Sequence, residues 1–275
     1  KLEVFDLNSI FRPNPMIFLQ HIDIPKGDPK KFPFSIPAFR ELKSLDFTNP
    51  ITVFVGENGS GKSTLLKALA LKINLPAIGS TDLEQDDTLS GFRSFSDGIY
   101  SVWNRTKTYR GFFFRAEDYF GFVKRLRSID QELKGDIVDF EKNLSGYGLK
   151  VAVGAIHGQK EALESKYDDL TKVSHGEGFL KVLQNRIQPE GIYLIDEPEA
   201  ALSPQRQLAL FSLIKNLAAN EGCQFIIATH SPILMCLPDA QIFQFEDQVK
   251  NVPVEDTEHF TIMKSFLNNP EAFLR

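Results

Sequence analysis

The chain has 275 residues, a formal net charge of −5 and 42% hydrophobic residues. This length allows one large domain or a core domain with a subdomain, and the composition is sufficient for an ordinary buried core. A mildly acidic chain has no overall attraction to DNA or anionic membranes, which leaves room only for a local basic patch. No run of about 18 apolar residues and no signal peptide is visible, so we expect no membrane segment.

The two cysteines, Cys223 and Cys236, lie in neither a metal-ligand spacing nor a C-x-x-C spacing. We interpret them as reduced core thiols, which favours a cytoplasmic location. Residues 1–50 are rich in Pro and Phe, and their alternating fragments predict short antiparallel strands joined by turns.

A complete phosphate loop of the pattern G-x-x-x-x-G-K-[ST] occupies residues 56–63. It follows the apolar run 51–55, a predicted buried strand, and precedes a predicted helix from about Lys62 to Ile73. Glycines let the backbone N–H groups turn toward one centre, and the helix N-terminus adds partial positive charge. Lys62 is predicted to bridge the β- and γ-phosphates, and the Ser63 hydroxyl to hold Mg²⁺. The predicted nucleotide-binding residues of this segment are Gly56, Asn58, Gly59, Ser60, Gly61, Lys62, Ser63 and Thr64.

The middle of the chain has two contrasting segments. Residues 79–98 are polar and acidic, which predicts a surface loop. Strand character returns around residues 109–115. Residues 121–172 have apolar positions three or four apart, which predicts amphipathic helices. Glycines at positions 146, 148, 154 and 158 interrupt that pattern, so we expect a small helical subdomain without a long coiled coil.

Two adjacent carboxylates follow the apolar run 192–195 in the second half of the chain. A buried strand that ends in Asp196 places this carboxylate beside the phosphate loop, where it can hold Mg²⁺ through water. Glu197 lies one residue past the strand end and faces the cleft, where it can polarise an attacking water. A helix is predicted from about Pro204 to Ala219.

A second polar group follows the next predicted strand, residues 224–228. His230 comes just after this strand, at the carboxyl edge of the sheet where ligands of open α/β sheets collect. It can donate a hydrogen bond to the γ-phosphate or steady the water. Ser174 and Gly176 open a further predicted helix, residues 179–187, and such a start can bind an anion. Taken alone, that pattern indicates no more than a Ser N-cap.

Together these motifs resemble the ABC-type ATPase superfamily over most of the chain. The resemblance implies an α/β P-loop NTPase fold, with an N-terminal antiparallel β region and an inserted helical subdomain. Residues 56–63 resemble Walker A and residues 192–196 resemble Walker B, while residues 198–204 resemble the D-loop. Ser174 and Gly176 stand where the ABC signature has its Ser and its second Gly.

The resemblance also implies cofactors and roles. It implies ATP and Mg²⁺ as cofactors, with Ser63 and Asp196 as the metal-binding residues. It implies that Lys62, the catalytic carboxylate Glu197 and the switch histidine His230 support hydrolysis. In this superfamily one subunit supplies these groups and its partner supplies the signature residues, so we expect an ATP-dependent, head-to-tail homodimer.

Residues 196–205 and 228–232 are similar to a narrower, soluble branch of predicted ATPases related to the RecF, Rad50 and SMC head domains. Many of that branch are found with DNA-repair and phage-defence systems. The chain departs from the ABC pattern at His175, which replaces the first signature glycine, and at Ser203, which replaces the usual Asp of the D-loop. No Q-loop glutamine is evident, and Arg115 and Glu117 are the polar candidates in that region.

These features favour Mg²⁺-dependent ATP hydrolysis that drives dimer closure in a DNA-related process, with DNA or a nuclease or effector protein as a partner. The alternatives are the ATPase subunit of a membrane transporter, a nucleotide-gated regulator of a partner protein, a small-molecule kinase and a non-hydrolysing scaffold. We predict an N-terminal lobe over residues 1–120, a helical subdomain over 121–178, and the remaining ATPase core over 179–275.

Overall fold

The computed structural model describes residues 16–78, 90–104, 108, 110–172 and 175–274. The strands of this part are β1 (Leu19–Asp23), β2 (Ser44–Asp46), β3 (Ile51–Gly56), β4 (Ala77–Ile78), β5 (Tyr100–Trp103), β6 (Gly111–Arg115), β7 (Ile192–Asp196), β8 (Gln224–Ala228), β9 (Gln241–Phe245) and β10 (Val249–Asn251). The α-helices are α1 (Pro37–Glu41), α2 (Lys62–Lys72), α3 (Ser90–Gly98), α4 (Ala116–Asn143), α5 (Gly146–Lys172), α6 (His175–Arg186), α7 (Pro204–Asn220), α8 (Pro232–Met235) and α9 (Glu258–Asn268). Short 3₁₀ helices span Pro198–Ala201, Val254–Asp256 and Pro270–Phe273.

The strands form two sheets. A three-stranded antiparallel sheet has the order β2-β1-β5, and a seven-stranded sheet has the order β10-β9-β3-β8-β7-β6-β4. The larger sheet is parallel except for the pairing of β10 with β9. The predicted α/β P-loop fold with an N-terminal antiparallel β region is confirmed, although β5 of the smaller sheet comes from beyond the phosphate loop.

The central strands of the large sheet are covered on both faces. Every residue of β3, β7 and β8 is buried, which explains why their sequences are mainly apolar rather than alternating. Ile192 and Leu194 of β7 face one core with α2, α3 and the small sheet, whereas Tyr193 and Ile195 face the other core. Burying each such side chain contributes about 1.5–3 kcal/mol, so these strands form a stiff base for whatever lies at their ends.

Two expectations need correction. Residues 90–98 of the expected surface loop form α3, whose Phe95 is buried against Phe34 and Phe39. Residues 79–89 of that loop lie outside the described residues. Cys236 is exposed rather than part of the core, whereas Cys223 is buried as expected.

The helical region is longer and more regular than the glycines suggested. The helices α4 and α5 have 28 and 27 residues, so each is roughly 40 Å long, and they pack side by side as a hairpin. Gly146 takes the left-handed φ of +64° between them, where a glycine is favoured. Gly148, Gly154 and Gly158 lie within α5, because the packing against α4 outweighs a propensity loss of about 1 kcal/mol each. The proposed domain division is not tested by this arrangement and stays a prediction.

Candidate functional site

The predicted site residues follow the carboxyl ends of four neighbouring parallel strands. Gly56 ends β3, Arg115 ends β6, Asp196 ends β7, and His230 follows β8 by two residues. Asp196 is in register with Ala228 on one side and with Arg115 on the other. The topology therefore brings together, at one edge of the sheet, residues that are up to 174 positions apart in the sequence (56 to 230).

The phosphate loop takes a backbone that only glycine accommodates at two positions. Gly56 has a φ of +141°, and a Cβ there would lie 2.2 Å from the carbonyl oxygen of Phe245. Gly61 has a φ of +107°, and a Cβ would lie 3.0 Å from the ring of Phe39 on α1. Strand β9 and helix α1 thus press on the loop from two sides and fix its shape.

Lys62 is folded back into the loop. Its ammonium donates hydrogen bonds to the carbonyl oxygens of Gly56 (2.7 Å) and Glu57 (2.8 Å), and the residue is only 3% exposed. Burial lowers the pKa of Lys62, and the nearby carboxylates of Glu197 and Asp196 oppose this shift. An ammonium held inside the loop can exchange these carbonyl partners for phosphate oxygens by a short movement of its flexible side chain.

Ser63 and Asp196 form the contact that joins the phosphate loop to β7. The Ser63 hydroxyl donates to Oδ1 of Asp196 at 2.9 Å. Burial raises the pKa of Asp196 to about 6, although the Ser63 hydrogen bond lowers it. A hydroxyl and a carboxylate are the hard oxygen ligands that Mg²⁺ accepts, and a divalent cation would stabilise this buried negative charge.

These two residues therefore fit Mg²⁺, with ligands from phosphate and water completing its shell. Across the described ranges, no group of three or more His, Cys, Asp or Glu side chains could hold a metal without such help.

Glu197 has a left-handed φ of 47°, which turns its side chain out of the line of β7. Its backbone N–H still donates to the carbonyl oxygen of Ala228 at 2.9 Å, so the turn is tied to β8. One carboxylate oxygen lies 3.8 Å from Nε2 of His230. A non-glycine residue in this conformation is uncommon and typical of functional sites.

The backbone of His230 is held by a residue that the sequence analysis did not single out. Glu199, in the 3₁₀ helix after Glu197, accepts hydrogen bonds from the backbone N–H of His230 (2.5 Å) and the hydroxyl of Thr229 (2.7 Å). Burial raises the pKa of Glu199. This carboxylate locks the D-loop-like segment to the loop that carries His230. The D-E-P-E spacing was visible, but nothing local showed where the second Glu would point.

A second histidine contacts His230 and was also missed. Nδ1 of His230 lies 3.0 Å from Nε2 of His259, the second residue of α9. The nitrogen on the far side of the ring, Nε2 of His230, is buried and has no hydrogen-bond partner among the described residues. A lone histidine 29 positions downstream gives no local pattern that could have revealed this pairing.

Arg115 occupies the place expected of the Q-loop residue. Its guanidinium donates to both carboxylate oxygens of Asp118, at 2.8 and 3.0 Å, on the first turn of α4. Glu117, the other polar candidate, is exposed. Strand β6, whose end lies beside Asp196, therefore ends in the guanidinium-bearing Arg115. The chain continues directly from Arg115 into α4 of the helical hairpin.

The signature-like residues are only partly described. Ser174 lies outside the described residues, whereas Gly176 is buried in the first turn of α6. A Cβ at Gly176 would lie 2.9 Å from Arg206 and 3.0 Å from the carbonyl oxygen of Ala201. Gly176 is thus packed against α7 and the 3₁₀ helix, and the nearest atoms do not belong to the phosphate loop.

A groove of about 720 Å³ opens beside His230, between α8, α9 and the start of α7. Its lining is mainly apolar and includes Pro232, Phe260, Met263 and Leu267. No phosphate-loop residue lines it, so it is separate from the place where phosphates would bind.

Comparisons with known proteins agree with this geometry. Residues 35–142 match a family model described as an AAA domain, and residues 173–235 match one described as an AAA ATPase domain. The two matches contain the phosphate loop and both strand ends at β7 and β8. Both matches are to models of AAA-type ATPase domains, which supports ATPase activity of the ABC/AAA type.

Two relatives of this ATPase differ in kind. The chain is 28% identical over 195 residues to the lipoprotein-releasing system ATP-binding protein LolD of Ehrlichia ruminantium, covering 67% of this chain and 76% of the relative. It is 44% identical over 54 residues to structural maintenance of chromosomes protein 3 of Arabidopsis thaliana, covering 20% of this chain and 4% of that protein.

Among solved structures, the ATPase is similar to an Smc head domain with an extended coiled coil from Pyrococcus furiosus, bound to the C-terminal domain of ScpA. The identity is 12%, the TM-score is 0.45, and the alignment covers 92% of this chain and 100% of that one. Within the described residues of the ATPase, no helix is long and apolar enough to cross a membrane.

Proposed function

We propose that this ATPase binds Mg²⁺-ATP at the edge of the sheet and closes as a head-to-tail homodimer. ATP hydrolysis then opens the dimer, and this cycle serves a DNA-related process such as repair or phage defence. The observation that carries the proposal is the Ser63–Asp196 hydrogen bond, with Glu197 and His230 beside it. This hydrogen bond joins the phosphate loop to the end of β7, next to the residues proposed to hold the metal and to orient the water.

The residues have separate roles in this proposal. The backbone N–H groups of residues 56–64 bind the phosphates, and Lys62 moves its ammonium from carbonyl oxygens to phosphate oxygens. Ser63 and Asp196 would hold Mg²⁺, which would neutralise part of the charge of the phosphates when bound. Glu197 orients the attacking water, and His230 donates a hydrogen bond to the terminal phosphate.

The position of Gly176 supports a composite site. The nearest atoms to Gly176 belong to Arg206 and Ala201 and not to the phosphate loop of the same chain, so in this proposal the segment serves the nucleotide of a second subunit. A ligand that binds the closed dimer better than the monomer shifts the equilibrium toward closure, and ATP held between both surfaces does so.

The α4–α5 hairpin is the part of the molecule that we propose transmits the ATP cycle to a partner, which is the output of the cycle. Helix α4 begins directly after Arg115, and α5 ends just before the Ser174–Gly176 segment, so both ends of the hairpin join elements of the proposed site. A shift at either element would be amplified along helices roughly 40 Å long. Lys124 and Arg125 on α4 are exposed and could contact DNA phosphates.

Two measurements test these claims. Glu197→Gln should bind ATP, hydrolyse it slowly and elute as a dimer on size-exclusion chromatography with light scattering, while the wild type without nucleotide elutes as a monomer. A monomeric Glu197→Gln at saturating ATP would contradict the composite site. Double-stranded DNA should stimulate wild-type turnover, and Lys124→Glu with Arg125→Glu should lose that stimulation while Lys142→Glu, further along α4, keeps it.

A second candidate is the ATPase subunit of a membrane transporter, which the likeness to the lipoprotein-releasing ATP-binding protein favours. In that case turnover is indifferent to DNA and rises with a membrane protein partner, which affinity capture from detergent-solubilised membranes with the Glu197→Gln variant would recover.

A further inference from the structure

We propose that His259 is a positioning residue for His230: its Nε2–H donates to Nδ1 of His230, so that the proton of His230 stays on Nε2, the nitrogen nearest Glu197. This inference rests on the proposed function, because it concerns how His230 is prepared to donate toward the terminal phosphate. It assigns a task to a residue of the C-terminal helix α9, which carries no nucleotide-binding motif.

The first step is the contact itself. Nδ1 of His230 and Nε2 of His259 are 3.0 Å apart, and the ring centroids are 5.0 Å apart with an angle of 53° between the planes. This is the geometry of an N–H···N hydrogen bond rather than of stacked rings. A neutral imidazole has one donor and one acceptor nitrogen, so across this contact one ring donates its N–H and the other accepts it.

The surroundings of His230 decide which ring donates. If His230 donated, its Nε2 would carry a lone pair in a buried place, 3.8 Å from a carboxylate oxygen of Glu197. Two acceptors would then face each other, and an anionic phosphate would add a third. If His259 donates, Nε2 of His230 carries the N–H that both the carboxylate and a phosphate can accept. The second arrangement is electrostatically favoured.

The argument requires His230 to be neutral, since a charged ring would donate from both nitrogens. Burial, together with the positive charge of Lys62 and the neighbouring His259, lowers the pKa of His230 to about 4. Glu57 opposes this shift to a smaller extent. At neutral pH His230 is therefore uncharged and can take either of two tautomers. Its hydrogen-bond partner at Nδ1 determines which of them forms.

Hydrogen bonds fix the backbone on both sides of the His230–His259 contact. The backbone N–H of His230 is held by Glu199. On the other side, Thr257 is fully buried at the N-cap of α9, its hydroxyl donates to the carbonyl oxygen of Val254 (2.7 Å), and its own carbonyl accepts from the N–H of Thr261 (3.0 Å). The start of α9 is thus fixed, and His259 lies two residues further on. The remaining freedom of His230 is its ring orientation and tautomer, which His259 sets.

The test compares His259→Phe, which keeps a ring but removes the donor, with His259→Gln, which keeps a side-chain N–H donor. Steady-state ATPase assays give kcat and KM, and the ¹⁵N shifts of the imidazole nitrogens report the tautomer of His230. His157→Phe on the exposed surface of α5 is the matched control. Melting temperatures establish that each variant is folded.

We expect the wild type to hold His230 in the Nε2–H form. His259→Phe should mix the two tautomers and lower kcat about tenfold, less than the roughly 100-fold expected for His230→Ala, with KM for ATP within about twofold. His259→Gln should restore most of kcat. An Nδ1–H tautomer in the wild type, or full kcat in folded His259→Phe while His230→Ala is impaired, would overturn this inference alone. Full turnover in His230→Ala would instead overturn the proposed role of His230.

Discussion

The central strands of the large sheet and the α4–α5 hairpin differ in how fully the rest of the molecule covers them. Every residue of β3, β7 and β8 is buried, whereas most described side chains of the hairpin are exposed, among them Val138 and Tyr147. The buried strands hold four strand ends in fixed register, and the proposed chemistry lies at those ends. Among the described residues, the hairpin joins the core cluster near its base, through Ala116, Tyr119 and Val123 at the start of α4. Under the proposed function, catalysis and output therefore depend on separate regions, joined at Arg115 and near Gly176.

The largest effect should come from the phosphate loop. Lys62→Ala removes the ammonium that is held 2.7 Å from the carbonyl oxygen of Gly56, and we expect turnover to fall about 100- to 1,000-fold. The matched control is Lys72→Ala at the other end of α2, whose ammonium bonds the carbonyl oxygen of Asp97 at 3.0 Å, away from the site. Steady-state ATPase assays check both. Equal losses in the two variants would mean that α2 as a whole, rather than the loop lysine, matters.

The next largest effect should be on stability, which we expect a substitution in the central strands to lower far more than one in the hairpin. Ile195 is fully buried in β7, so Ile195→Ala leaves a cavity, and we expect the free energy of unfolding to fall by about 2–5 kcal/mol. Val138 on α4 is 46% exposed, and Val138→Ala should change that free energy by less than about 0.5 kcal/mol. Urea unfolding followed by circular dichroism measures both. If the hairpin substitution were the more damaging, the division between a rigid core and a peripheral hairpin would fail.

A smaller effect is the pH dependence that His230 gives to stability. Its folded pKa of about 4 is below the usual value of 6.5, so between these values the unfolded chain binds a proton that the folded chain does not. The contribution of His230 therefore lowers stability as the pH falls from 6.5 to 4. His230→Gln cannot take up that proton, so its stability relative to the wild type should rise across this window. Denaturant midpoints of both proteins, measured from pH 7 to pH 4.5, provide the check, and parallel curves would contradict the burial of His230.

Much of the core and of the proposed site could be predicted because each motif is directly preceded by an apolar run that identifies a buried strand. The apolar runs before Gly56, Asp196 and His230 are strands because both faces are covered, and parallel strands bring their ends together. The resemblance correctly indicated the ATPase superfamily. The contacts made by Glu199 and His259 could not be predicted, because they depend on how the D-loop-like segment and α9 pack in three dimensions. The helical character of residues 121–172 was predicted correctly, but the length of α5 was not, because the glycines inside α5 were given more weight than its pairing with α4.

The most direct test of the account is single-turnover hydrolysis of Mg²⁺-ATP by the wild type and by Glu197→Gln, with nucleotide binding measured in parallel. Glu197 lies beside Nε2 of His230 and one residue past the Asp196 that bonds Ser63, so its carboxylate should orient the water. We predict that Glu197→Gln binds ATP within about threefold of the wild type and hydrolyses it at least 100-fold more slowly. Wild-type rates in this variant would contradict the proposed site.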